Sequence, residues 1–141
     1  MDCALALLGP LAPGPVASLE RLQQAFTEVV LCADQPLDHL ALELTTIKPL
    51  TGPCPLGAIL AALLLTPCER VVVSPLPSDE RLEPLLRLAA FDPQAEVVLL
   101  QPTLLVPGRF GRGCRRPLER ALGRGQGIEG LRGLRVAVLD A

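Results

Sequence analysis

Apolar residues occur in two rhythms along this chain. Short, nearly unbroken apolar runs lie within Cys3 to Leu8, Glu28 to Ala33, Glu69 to Ser74, Glu96 to Gln101 and Leu134 to Leu139. Runs of that length predict strands, with Cys3 to Leu8 and Glu96 to Gln101 buried and Glu69 to Ser74 central. Between them, Val16, Leu19, Leu22, Ala25 and Phe26 recur at helical spacing, with Ser18 as a candidate cap. The turn Pro53-Cys54-Pro55-Leu56-Gly57 opens a second helix to Leu65, stopped by Thr66-Pro67. Ser78-Asp79-Glu80 starts a third, running to about Phe91, with a serine cap and first-turn acids that complement the helix dipole. Arg115 to Leu122 is a short fourth helix ended by Gly123.

Two further strands are weaker. Leu40 to Ile47 reads as a third strand leading into Lys48-Pro49, and Leu104 to Phe110 as an edge strand, because Pro102 and Pro107 flank or interrupt it. Strands alternating with helices through the whole length predict an α/β fold, a three-layer sandwich around a mostly parallel, Rossmann-like sheet. No internal repeat is visible. The 141 residues suit one domain, 1–141.

Composition sharpens this picture in three places. Half the residues are apolar but only Phe26, Phe91 and Phe110 are aromatic, so the core must be built from Leu, Val and Ala. The longest apolar run, Leu56 to Leu65, is about half of what a bilayer span requires. With no basic residue ahead of the first apolar run, the expectation is a soluble, cytoplasmic chain without membrane contact. Cys3, Cys32, Cys54, Cys68 and Cys114 form no C-x-x-C pair, which argues against a disulfide framework or a zinc ribbon; Cys3 and Cys32, in strand-like runs, read as small buried hydrophobes.

Charge is unevenly placed. Residues 1–108 carry five basic and twelve acidic side chains, a balance of −7; residues 109–141 carry eight arginines against three acids, a balance of +5. The arginine-rich portion, 109–135, is therefore a candidate surface for an anionic partner. Within it Arg112, Arg116 and Arg120 fall four apart and would share one face of a helix, with Arg115 alongside. With no Tyr or Trp and only Phe110 nearby, base stacking has little support, so nucleic acid is not the expected partner. Gly125-Gln126-Gly127-Ile128-Glu129-Gly130 matches a dinucleotide fingerprint in form but follows a helix rather than a strand, and reads as a loop. His39 has no second histidine and no nucleophile elbow to join, so no triad or zinc site can be assembled around it.

The order of these pieces resembles the MobA-like NTP transferases, the molybdenum-cofactor guanylyltransferase family. Leu19 to Leu31 is similar to that family's L-x-R-L…F helix followed by an E-V-V-L strand. Cys54 to Leu63 is similar to its G-P-L-x-G-I-L-A-A-L segment. Ser74-Pro75-Leu76-Pro77 falls where its C-D-M-P turn stands, and Arg115 to Leu122 resembles its R-R-x-x-L-P-x-L-E-x-A-L segment. The likeness covers about three-quarters of the chain. It implies a nucleotide-diphospho-sugar transferase type of fold and a nucleotide site at Gly9, Pro55, Leu56 and Gly57. It also implies GTP and Mg²⁺ if the family activity is kept.

Two departures bear on that activity. The family's phosphate loop, G-G-x-S-x-R-M-G-x-D-K, is replaced by Gly9-Pro10-Leu11-Ala12-Pro13-Gly14-Pro15-Val16, in which prolines remove N–H donors and no lysine or arginine precedes Arg21. The aspartate that would hold Mg²⁺ is replaced by Pro75 or a neighbour; Asp79 suits a helix-dipole role instead. No catalytic residue and no metal ligand is assigned. The expectation is a degenerate member that binds a nucleotide or molybdopterin-type phosphate, or assists a molybdoenzyme or maturation partner. An active guanylyltransferase and an interaction module using Arg112, Arg115, Arg116 and Arg120 are the alternatives, and an exposed sheet edge makes a homodimer a further expectation.

Overall fold

The computed structural model describes residues 3–8, 19–32, 45–47, 56–66, 68–75, 82–91, 94–101, 104–124 and 134–139. Among the described residues, seven strands form one sheet: β1 (Cys3–Leu8), β2 (Glu28–Cys32), β3 (Thr45–Ile47), β4 (Arg70–Pro75), β5 (Val97–Leu99), β6 (Gly108–Gly111) and β7 (Val136–Val138). Helices α1 (Leu19–Ala25), α2 (Leu56–Leu65), α3 (Leu82–Ala90) and α4 (Arg115–Gly123) join or follow them. The strand order is β3-β2-β1-β4-β6-β5-β7. Every neighbouring pair is parallel except those made by β6, which runs antiparallel to both β4 and β5.

The period-two pattern of each strand sorts its side chains between two cores. From β1, Ala4 and Ala6 face one core while Cys3, Leu5 and Leu7 face the other. Val71 and Val73 of β4 join the alanines, and Val72 joins the leucines. The first core is closed by α2 and α4 through Ile59, Leu60, Leu63, Leu118 and Ala121. The second is closed by α1 and α3 through Leu22, Leu85 and Leu88. Small residues on the α2 side leave room for that helix to settle close to the sheet. This is the three-layer sandwich expected from the alternation of elements.

The apolar character of α2 follows from its place. Leu56 to Leu63 are all buried, and a helix apolar around its whole circumference is stable only when covered on all sides. Its last turn emerges, leaving Leu64 39% and Leu65 60% exposed.

One expectation is corrected. The segment ending at Phe110 is not an edge strand: β6 lies between β4 and β5, with Phe110 opposite both Val71 and Val97. Pro107 precedes the strand rather than interrupting it, so Gly108 to Gly111 has backbone donors for both ladders. Gly108 is needed there, because a Cβ would run into the Leu105 carbonyl. The edge position belongs to β7, which among the described residues pairs only with β5.

Arg109, the middle of β6, is fully buried. Its guanidinium donates to the carbonyls of Leu88 at 3.0 Å, Ala89 at 3.3 Å and Phe91, all at the C-terminal end of α3. An isolated charge at that depth would cost several kcal/mol; here it satisfies the orphan carbonyls and meets the negative end of the helix dipole. Arg109→Ala should lower unfolding stability by about 3 kcal/mol or more, since it opens a cavity and strands buried acceptors. Arg109→Lys should recover only part of this, because an ammonium lacks the planar fork. Urea denaturation of the two variants measures both.

Candidate functional site

In an open parallel sheet, ligands bind outside the carboxyl ends of the strands where the strand order reverses. Here the chain progresses β1 to β2 to β3 on one side and resumes with β4 on the other side of β1. The switch point therefore lies between the ends of β1 and β4, at Leu8 and Pro75, which are register partners. Because α2 connects β3 to β4, its N-terminus, with Leu56 and Gly57, stands at this same end. A helix N-terminus there presents backbone N–H groups and the positive end of its dipole.

The side chains at the switch point are sparse in chemistry. Leu56 is 1% exposed and belongs to the core, so it positions the turn rather than meeting a ligand directly. Ser74 is buried and its hydroxyl donates to the Pro75 carbonyl at 2.8 Å. No carboxylate ends β4, and among the described residues no group of three or more His, Cys, Asp or Glu could hold a metal ion. The described end of β4 thus does not fit Mg²⁺, which needs carboxylate oxygen beside the phosphates.

Gly9 and Pro55, expected at the nucleotide site, lie outside the described residues. So do the loop 10–16, His39, Lys48, Cys54, Ser78, Asp79 and the glycine-rich segment 125–130.

The arginines occupy the opposite end of the sheet. β6 is antiparallel, so its last residue Gly111 pairs with Arg70, the first residue of β4. Arg112 follows in a 3-10 turn, Arg112–Cys114, that leads into α4. Its guanidinium donates to the Leu63 carbonyl at 3.1 Å and to the Thr66 carbonyl, so Arg112 caps the C-terminus of α2. This differs from the expected shared face: Arg112 precedes α4 and turns toward α2, whereas Arg116 and Arg120 lie on the helix itself. An open depression of about 410 Å³ is lined by Arg112, Gly113, Arg115, Arg116 and Glu119. It unites three of the four expected arginines and leaves Arg120 aside. Arg115 and Glu119 form an exposed i,i+4 ion pair at 2.9 Å.

α2 has ten residues and so spans about 15 Å, which separates the Gly57 end from the arginine end. Sequence spacing could not reveal this separation, because the antiparallel entry of β6 decides it.

Among the described residues Cys3, Cys32, Cys68 and Cys114 are buried and form no disulfide. The Cys114 thiol donates to the Gly111 carbonyl at 2.8 Å. Burial above all, with the nearby Glu96 charge adding to it, pushes its pKa from 9.0 up to about 12.

Solved structures share this fold. They include the protein Aq1419 of Aquifex aeolicus, with a TM-score of 0.67 and 15% identity over 99% of this chain and 86% of that one. Molybdopterin-guanine dinucleotide biosynthesis protein A of Archaeoglobus fulgidus matches with a TM-score of 0.61 and 15% identity, over 97% and 83% of the two chains. The 2-C-methyl-D-erythritol 4-phosphate cytidylyltransferase of Thermus thermophilus matches with a TM-score of 0.62 and 16% identity, over 100% and 88%. No protein-family model matches the sequence, and no curated protein matches it. The chain has the nucleotidyltransferase fold of MobA and its structural relatives, as the sequence resemblance implied; at these identities the likeness is one of fold.

The raised Cys114 pKa sets a pH dependence. Above pH 9 the unfolded thiol loses its proton while the folded one keeps it, so the folded state binds more protons and stability falls with rising pH through about 12. Cys114→Ala should flatten that alkaline decline, measured as the urea midpoint between pH 8 and about pH 10. Native Cys114 should also resist alkylation at neutral pH under conditions that label the unfolded chain.

Proposed function

We propose that this chain binds a nucleotide or a molybdopterin-type phosphate at the β1/β4 switch point and does not catalyse nucleotidyl transfer. The observation that carries the reading is the end of β4, where Ser74 and Pro75 close the strand, at the same end of the sheet as the α2 N-terminus, with no carboxylate among the described residues. The sequence beyond β1 supports the same reading, since Gly9 to Val16 holds three prolines and no cationic residue. Phosphoryl-type transfer depends on neutralising charge at the phosphates, by cations and Mg²⁺ together. A switch point with a glycine in the first turn of a helix retains only the weaker part of that apparatus: close backbone approach and a positive dipole.

The ligand class follows the neighbours of the same fold, one named for a molybdopterin-guanine dinucleotide and one for a cytidylyl transfer. GTP, CTP and molybdopterin are therefore the first ligands to try. The chain then serves molybdenum cofactor maturation as a carrier or assistant, if molybdopterin or its guanine dinucleotide is what binds.

A thermal-shift series with GTP and CTP, with and without Mg²⁺, tests this directly. Stabilisation should occur without metal and weaken in Gly57→Ala, because Gly57 is buried in the first turn of α2 and even one added methyl limits backbone approach there. With ligand at a hundred times its Kd the expected stabilisation is about 2.7 kcal/mol. Release of pyrophosphate from GTP or CTP in the presence of Mg²⁺ and a phosphorylated acceptor would instead establish an active transferase.

A further inference from the structure

We propose that the arginine-lined depression at the amino end of the sheet is a docking surface for an acidic protein segment that also carries apolar side chains. This surface is independent of the switch point and lies on the other end of α2.

Its cationic donors are already held in place. Arg112 uses two N–H groups on the Leu63 and Thr66 carbonyls, and a guanidinium carries five, so three remain for a partner. Holding α2 fixes the side chain in advance and lowers the entropy lost on binding. Arg116 is exposed and, among the described residues, has no ion-pair partner. Arg115 is turned to Glu119, so three arginines and one glutamate leave the depression with a charge of +2.

The apolar part lies outside the lining of the depression, on the end of α2 that Arg112 caps. Arg112 grips the last turn of α2, and that turn exposes Leu64 and Leu65, the latter 60% accessible. Elsewhere α2 buries every side chain from Leu56 to Leu63. Two adjacent exposed leucines beside two available guanidiniums form a mixed surface. A carboxylate-bearing segment can place its acids on Arg112 and Arg116 and an apolar side chain on Leu64 and Leu65. A free phosphate would gain nothing from the leucines and would meet the Glu119 carboxylate in the lining. Charge complementarity together with the leucines therefore favours an acidic, partly apolar segment of a protein.

The test uses the full chain and a fluorescently labelled peptide of alternating glutamate and leucine, read by anisotropy. A peptide of alternating glutamate and serine serves as the comparison, and inorganic pyrophosphate as a competitor. Arg116→Glu should weaken binding about tenfold or more, and it places an acid in the first turn of α4, where the helix dipole favours it. Leu65→Ser should weaken the leucine peptide and leave the serine peptide unchanged. Arg135→Glu, an equal charge reversal outside the depression, should alter affinity by no more than about twofold, the scale of a screened distant charge. Equal losses in Arg116→Glu and Arg135→Glu would reduce the effect to general attraction and overturn the proposal. So would absence of binding, indifference to the peptide's leucines, or displacement of the peptide by pyrophosphate at concentrations below the peptide's own Kd. GTP stabilisation should be unaffected by Arg116→Glu, so failure here and failure at the switch point are separately visible.

Discussion

The layers of this sandwich are locked by two arginines that leave β6 on opposite sides of the sheet. Arg109 is fully buried and holds the C-terminal carbonyls of α3; Arg112 holds those of α2. Both helices precede parallel strands, so both end at the amino end of the sheet, and their last carbonyls are left without intrahelical donors. A strand entering antiparallel reaches that end with its own C-terminus. β6 thereby brings guanidiniums to two helix ends that the parallel strands alone could not serve. Each interaction joins an orphan acceptor to a charge that opposes the helix dipole, which is why burial of Arg109 is tolerable at all.

That constraint reassigns much of the chain's positive charge. Residues 109–141 read as a uniformly basic segment with a balance of +5. In the fold, Arg109 is interior, Arg112 is committed in part to α2, and Arg115 is paired with Glu119. The charge left to meet a partner is smaller than the sequence implies. Part of it lies at Arg112 and Arg116 in the depression, while Arg120, Arg124 and Arg135 are exposed outside it.

The two ends of the sheet consequently differ in chemistry. The carboxyl ends of β1 and β4 meet the N-terminus of α2, where backbone donors and a positive dipole converge but no carboxylate closes β4. The amino end gathers guanidiniums and exposed leucines. These two ends lie about 15 Å apart, at opposite ends of one ten-residue helix.

Much of the architecture was legible in the residues. Unbroken apolar runs located β1, β2, β4 and β5, because strands buried on both faces need apolar side chains at every position. The Pro-Leu-Gly turn located the start of α2, and its uniformly apolar sequence announced its burial. The order of segments pointed to the nucleotidyltransferase fold. The place of β6 was not legible: flanking prolines suggested an edge, and only the tertiary pairing with β4 and β5 made it internal. The arginine spacing was misleading for a related reason. Four-residue spacing states which side chains share a helical face, but not that a 3-10 turn precedes the helix and points Arg112 at α2. The sequence by itself determined the alternation of buried strands and helices, since local periodicity encodes which faces must leave water. The tertiary structure alone decided which arginines are structural and which remain available, because a guanidinium's partners are carbonyls at helix ends 18 to 49 residues away in the chain.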